Sequence, residues 1–294
     1  KVEDAVDGKV NLLTTFDEDV KVDMGQPSKE AGTAALKALD RAMEDYKAGG
    51  YDVLVTAPIN KNDIQSDGFR FCGHTEYIQE KVGEGKKALM ILAGNSLRVA
   101  LVTTHLPIAE VASAITKEAI VEKCTIFNEA LRRDFNVSAP RIAVLSLNPH
   151  AGDGGVIGNE EENVIKPALE ELEAAGVKAF GPFAADGFFG QGMYTAFDGV
   201  LAMYHDQGLA PFKTIVGGEG VNITAGLPIV RTSPDHGTAY DIAGKGVADE
   251  TSFRTAVYKA IDIFRNRINY DEPMQNPLQK LYHERRDDSE KVRF

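Results

Sequence analysis

Ala88-Leu89-Met90-Ile91-Leu92-Ala93-Gly94-Asn95-Ser96-Leu97-Arg98-Val99-Ala100-Leu101-Val102-Thr103 holds two apolar runs of strand length around one turn signal. Gly94-Asn95-Ser96 joins them as a hairpin, so any sheet containing both runs is mixed. Upstream, Ser28 caps a helix to Tyr46, with Ala31, Ala35, Leu39, Ala42 and Tyr46 near helical spacing and Gly49-Gly50 as its stop. A buried strand over Asp52 to Ala57 follows. Downstream, Thr116 precedes a helix over Glu118 to Phe135, and Asn159 with Glu162 reads as a capping box for a helix ending near Gly176, with Glu160 and Glu161 favouring its positive end. The last helix runs from Ser252 to Ile268, and Pro273 to Phe294 reads as a peripheral extension. Strands alternating with helices of this length give an α/β fold.

The 43% apolar content supports a core divided between two lobes. No apolar stretch reaches the roughly 18–20 residues that span a bilayer. A formal charge of -12 argues against a nucleic-acid partner. It leaves room for a small anion, which responds to local cations and N–H groups in a cleft. Two cysteines, and no secretory pattern at Lys1-Val2-Glu3-Asp4, lead to the expectation of a reducing cytoplasm.

Three histidines each follow a strand-like run: His105 after Leu97 to Thr104, His150 after Arg141 to Asn148, and His205 after Asp198 to Tyr204. In open α/β sheets the carboxyl ends of strands form the ligand-binding rim. Three neutral imidazoles there would hold a catalytic metal and leave positions open for substrate. Asp206, next to His205, suits a carboxylate supporting a ligand or an acid/base group.

In Gly73-His74-Thr75-Glu76, His74 and Thr75 open a short helix whose N–H groups can hold an anion; capping by Thr75 is the competing role. Cys72 is expected to be a small buried residue and not a nucleophile. Lys213, Asn222 and Arg231, the last at the end of the strand-like Leu227 to Val230, suit a phosphate or carboxylate. No Gly-x-Gly-x-x-Gly fingerprint follows a strand, and there is no Gly-x-x-x-x-Gly-Lys-Ser/Thr loop.

Gly73-His74-Thr75-Glu76, Thr103-Thr104-His105-Leu106-Pro107, Leu147-Asn148-Pro149-His150-Ala151-Gly152, Tyr204-His205-Asp206-Gln207-Gly208-Leu209-Ala210-Pro211-Phe212-Lys213 and Arg231-Thr232-Ser233-Pro234-Asp235-His236-Gly237-Thr238 together resemble the 4-hydroxythreonine-4-phosphate dehydrogenase family of vitamin B6 biosynthesis. The resemblance implies a divalent metal on His105, His150 and His205, zinc first, with magnesium or cobalt as alternatives. It places substrate on His74, Thr75, Lys213, Asn222 and Arg231, with Asp206 or Lys213 handling the proton.

His236-Gly237-Thr238-Ala239-Tyr240-Asp241-Ile242-Ala243-Gly244-Lys245-Gly246 is similar to the nucleotide loop of isocitrate and isopropylmalate dehydrogenases. This implies NAD, or NADP, at His236, Gly237, Thr238, Asp241 and Gly244; a tight structural turn is the plainer role.

The implied architecture is a two-lobed α/β/α fold like theirs, with the active site in the cleft. Residues 1–70 and 207–294 would form the nucleotide side, and 71–206 the metal, substrate and dimerisation domain. A strand and a Gly/Pro-rich loop are expected ahead of Lys1. The implied assembly is a homodimer with shared sites, His205 being the expected ligand from the neighbour. The implied reaction is NAD-dependent oxidation of 4-phosphooxy-L-threonine. A phosphorylated four-carbon sugar acid as substrate, and metal-dependent phosphohydrolysis, are the alternatives.

Overall fold

The computed structural model describes residues 2–16, 19–66 and 68–277. In chain order come α1 (Lys29–Lys47), β1 (Val53–Val55), α2 (His74–Val82), β2 (Leu89–Ala93), β3 (Arg98–Leu101), α3 (Ile108–Ala114), α4 (Lys117–Arg133), β4 (Ile142–Leu145), α5 (Lys166–Ala174), β5 (Ala179–Phe183), α6 (Ala185–Gly190), β6 (Gly199–Ala202), α7 (His205–Val216), β7 (Val221–Ala225), β8 (Val230–Pro234) and α8 (Thr251–Gln275). The strands form one mixed sheet in the order β1-β8-β7-β2-β3-β6-β4-β5. β2 and β3 are the expected antiparallel hairpin, whereas β3, β6, β4 and β5 run parallel. Strands from the two expected regions share this sheet, since β7 pairs with both β8 and β2.

Local chemistry sets most boundaries. The side chain of Ser28 accepts from the Ala31 N–H and that of Thr116 from the Ala119 N–H, capping α1 and α4. The capping box at Asn159 and Glu162 does not form. That segment enters α5 through a π-turn over Glu161–Ile165 with no side-chain cap, and Glu162 pairs with Lys166 instead. The reason is Glu161, which is drawn into the interior to accept the N–H groups of Leu147 and Asn148. Two other expectations also shift. Arg231 lies inside β8 and not at the end of an earlier strand, and α8 runs to Gln275, taking in Pro273. Residues 278–294 of the expected extension lie outside the described residues.

Strand register sorts the side chains into two faces. Ser233, Asn222, Leu92, Val99 and Val200 form one row across β8, β7, β2, β3 and β6; Leu54, Arg231, Thr224 and Met90 form another on the same face. Leu92, Val99 and Val200 pack under Leu209 and Phe212 of α7. On the opposite face, Leu89, Ile91, Ala100, Ile223 and Val230 join a core with residues of α4, α5 and α8. The result is an α/β/α sandwich. Gly208 sets the height of α7, because a Cβ there would fall 2.7 Å from Val99 Cγ1 and 2.9 Å from Leu101 Cδ2. That close approach seats the start of α7 on the sheet rim. No described helix is long and apolar enough to cross a membrane.

Candidate active site

The strands β3, β6 and β4 lie side by side and parallel, and each leads into one of the three histidines. Pairing continues past β3 and β6, where the N–H of Thr103 bonds Met203 O at 3.1 Å and its hydroxyl donates to the same oxygen at 2.8 Å. This brings the next turns together, and the His105 and His205 rings stand 6.2 Å apart. His205 Nδ1 lies 2.6 Å from Asp206 Oδ1, and His105 Nδ1 lies 3.8 Å from Glu76 Oε1. At His205 the carboxylate facing Nδ1 leaves Nε2 as the lone-pair donor, as metal-ligating imidazoles require, while Glu76 stands beyond hydrogen-bond distance of His105. This donor chemistry fits a divalent cation. Lys61 Nζ lies 3.3 Å from His105 Nε2.

His150 does not join them. It is exposed on the turn after β4, and among the described residues no three His, Cys, Asp or Glu side chains converge as a metal site. The turn is unusual: His150, Ala151, Gly152, Asp153 and Gly154 all have positive φ, from 44° to 78°.

Beside the two histidines a cavity of about 300 Å³ opens on the sheet face. Arg231 forms its floor, 4% exposed. Its guanidinium donates to Thr56 Oγ1 at 2.6 and 3.1 Å and to Thr224 Oγ1 at 3.2 Å. Among the described residues it has no carboxylate partner within ion-pair distance. Burial lowers its pKa to about 10. His74, the first residue of α2, lines the same cavity, and burial, helped by the charges of Arg231 and Lys61, lowers its pKa to about 3. Asn222 Oδ1 is buried with no hydrogen-bond partner. A buried cation short of a counter-charge, beside a neutral imidazole, is a site built to receive an anion, while the unpaired Asn222 oxygen is an acceptor open to a ligand's donor.

Thr75 does not cap α2, whose N-cap is Gly73; its hydroxyl lies 3.5 Å from Thr224 Oγ1. Lys213 lines the cavity and pairs with Asp235 at 3.3 Å, where burial raises the Asp235 pKa against the pull of Lys213. Cys72, expected to be buried, is exposed; Cys124 is the buried thiol, and desolvation pushes its pKa up to about 12. Cys72 lies just ahead of Gly73, the N-cap of α2.

In the glycine-rich loop after β8, His236 and Gly237 line the cavity. His236 Nδ1 lies 2.9 Å from Gly237 O. Thr238, Asp241 and Gly244 lie beyond the lining, exposed around a short turn over Tyr240–Ile242 that Asn60 Nδ2 tethers at 3.3 Å through Tyr240 Oη. Sequence reasoning missed Lys61, Glu76, Thr56, Thr224 and Asp235. Thr56 and Thr224 carried a signal, since each is a hydroxyl set in an apolar strand on the face that also carries Asn222 or Arg231.

The sequence model of the family described as pyridoxal phosphate biosynthetic protein PdxA matches residues 1–260. This chain belongs to that PdxA family. It is 60% identical over 286 residues to the 4-hydroxythreonine-4-phosphate dehydrogenase of Bacteroides thetaiotaomicron, an alignment covering 97% of this chain and 79% of the relative. The enzyme of that name from Sulfurihydrogenibium is 45% identical over 90% of this chain and 81% of its own. Among solved PdxA-family structures, the 4-hydroxythreonine-4-phosphate dehydrogenase of Klebsiella pneumoniae superposes with a TM-score of 0.71 at 36% identity, covering 82% of this chain and 73% of that one. That of Burkholderia phymatum gives 0.71 at 38%, covering 90% and 80%.

Proposed function

We propose that this chain oxidises the C3 hydroxyl of 4-phosphooxy-L-threonine with NAD as acceptor, in the making of pyridoxal phosphate. The observation that carries this reading is Arg231, a buried cation with no carboxylate partner among the described residues, lining one cavity with His105 and His205. Its guanidinium, with Lys213 and the N–H groups that open α2, suits the phosphate. His74, neutral at physiological pH, and Thr75 orient the same group by hydrogen bonds without adding charge. Asn222 offers its unpaired amide to a substrate donor.

A divalent cation, zinc in our reading, would be held by His105 and His205 with His150 as the third ligand, and when bound it supplies the charge that acidifies the C3 hydroxyl. His236, Gly237, Thr238, Asp241 and Gly244 would hold NAD, or NADP, which would supply the hydride acceptor. Asp206 or Lys213 then carries away the hydroxyl proton. The β-keto acid product, 2-amino-3-oxo-4-phosphooxybutanoate, loses CO₂ to leave 3-amino-2-oxopropyl phosphate.

We further propose a homodimer with shared sites. Because His105 and His205 already stand together in one chain, His150 is the ligand we assign to the neighbour, in place of the expected His205. We propose that residues 1–70 with 207–294 form the nucleotide side and residues 71–206 the metal, substrate and dimerisation side. The two free thiols suit the cytoplasm. The test is NADH formation with 4-phosphooxy-L-threonine and with erythronate 4-phosphate, alongside phosphate release. Faster oxidation of the amino acid supports the reading. Preference for the sugar acid, or phosphate release without NADH, refutes it.

A further inference from the structure

The turn bearing His150 stands in a conformation that its own residues disfavour. Three non-glycine residues, His150, Ala151 and Asp153, adopt φ of 54°, 52° and 44° in a single left-handed run. Left-handed backbone crowds the Cβ of such residues, so the run persists only where its surroundings fix it. Glu160 accepts from the Asn148 side-chain amide at 2.7 Å, and the buried group against the turn is Glu161, a carboxylate 1% exposed.

Glu161 Oε1 accepts the N–H groups of Leu147 at 2.9 Å and Asn148 at 2.7 Å, and Oε2 accepts the Asn148 side-chain amide at 3.0 Å. These are the residues that carry the chain from β4 into the turn. The same Oε2 would lie 2.6 Å from a Cβ at Gly152, so the carboxylate also occupies the hollow of the turn. The π-turn over Glu161–Ile165 widens the helix entry at the position where this side chain points inward.

We infer that Glu161 is a positioning residue for His150: its carboxylate, clamped to both backbone N–H groups ahead of the left-handed turn, holds the imidazole where it completes the metal site. The inference rests on the proposed role of His150 as a ligand. It acts at a distance from the cavity, through the backbone, and involves no contact with substrate. Glu161→Gln keeps a carbonyl oxygen for both N–H groups. Glu161→Asp keeps the charge but is one methylene too short to reach them.

The test is zinc affinity of the intact protein, measured by competition with a chromophoric chelator, for Glu161→Gln, Glu161→Asp, His150→Ala and Leu172→Ala. Leu172 is a buried α5 residue outside the clamp, so its variant reports the effect of general destabilisation. Loss of an outer support of a metal ligand costs about 10–100-fold in affinity. Glu161→Asp is expected to weaken zinc by about that factor, and Glu161→Gln by much less. His150→Ala should weaken it at least as much as Glu161→Asp, and Leu172→Ala should leave it unchanged despite a lower melting temperature. Unchanged affinity in Glu161→Asp with a loss in His150→Ala overturns the clamp. So does an equal loss in Leu172→Ala. Unchanged affinity in His150→Ala overturns the ligand role on which the inference rests.

Discussion

Arg231 and His74 show how one cavity tunes two basic side chains in different ways. Arg231 keeps its charge under burial because threonine hydroxyls accept its N–H groups, whereas His74 sheds its charge. The His74 pKa of about 3 lies below its ordinary 6.5, so between those values the unfolded chain binds a proton that the folded chain refuses. Stability contributed by neutral His74 is therefore present above about 6.5 and falls as pH drops toward 3. Denaturant unfolding of wild type and His74→Gln over this range checks it: the wild type should lose stability more steeply. Equal slopes would place the imidazole in water. At this scale the sequence was informative, for His74, Lys213, Asn222 and Arg231 all line one cavity. Lys61 and Glu76 were not legible, because only the fold brings the loop after β1 and the first turn of α2 beside His105.

At the scale of elements, the hairpin and the capped starts of α1 and α4 were readable because each is decided by neighbours in sequence. The capping box at Asn159 failed because a long-range partner won: Glu161 satisfies N–H groups thirteen and fourteen residues earlier. A comparable long-range pair locks two helices together. Arg267 of α8 meets Asp134, the C-cap of α4, at 2.7 and 3.1 Å, and donates to the carbonyls of Leu227 and Pro228. Both side chains are buried. Breaking such a pair from one side leaves an uncompensated charge and costs about 3–5 kcal/mol. Arg267→Ala should show that loss in equilibrium unfolding; a change below 1 kcal/mol would mean the pair is solvated.

For the whole molecule, the α/β class followed from alternating elements and the α/β/α layering from the family resemblance, but the strand order from neither. β7 and β8, late in the chain, enter between β1 and β2, placing Arg231 and Asn222 on the face that receives α7. The sequence grouped the three histidines by their shared place after strands, and the fold separates His150 from the other two. Subunit mixing tests the proposed division. Inactive His150→Ala and His105→Ala proteins should regain activity when exchanged, since one mixed site would carry neither lesion. His105→Ala with His205→Ala should stay inactive. The opposite pattern would return His205 to the neighbour.

The central claim, a dehydrogenase whose cavity grips a phosphate through Arg231, is tested most directly by one ratio. It is kcat/KM for 4-phosphooxy-L-threonine over that for 4-hydroxythreonine, measured by NADH formation in wild type and Arg231→Met. A charge-assisted contact is worth about 1.5–3 kcal/mol, so the wild-type preference for the phosphorylated compound should shrink by about 10–100-fold in the variant. An unchanged ratio, or no phosphate preference in the wild type, would contradict the account.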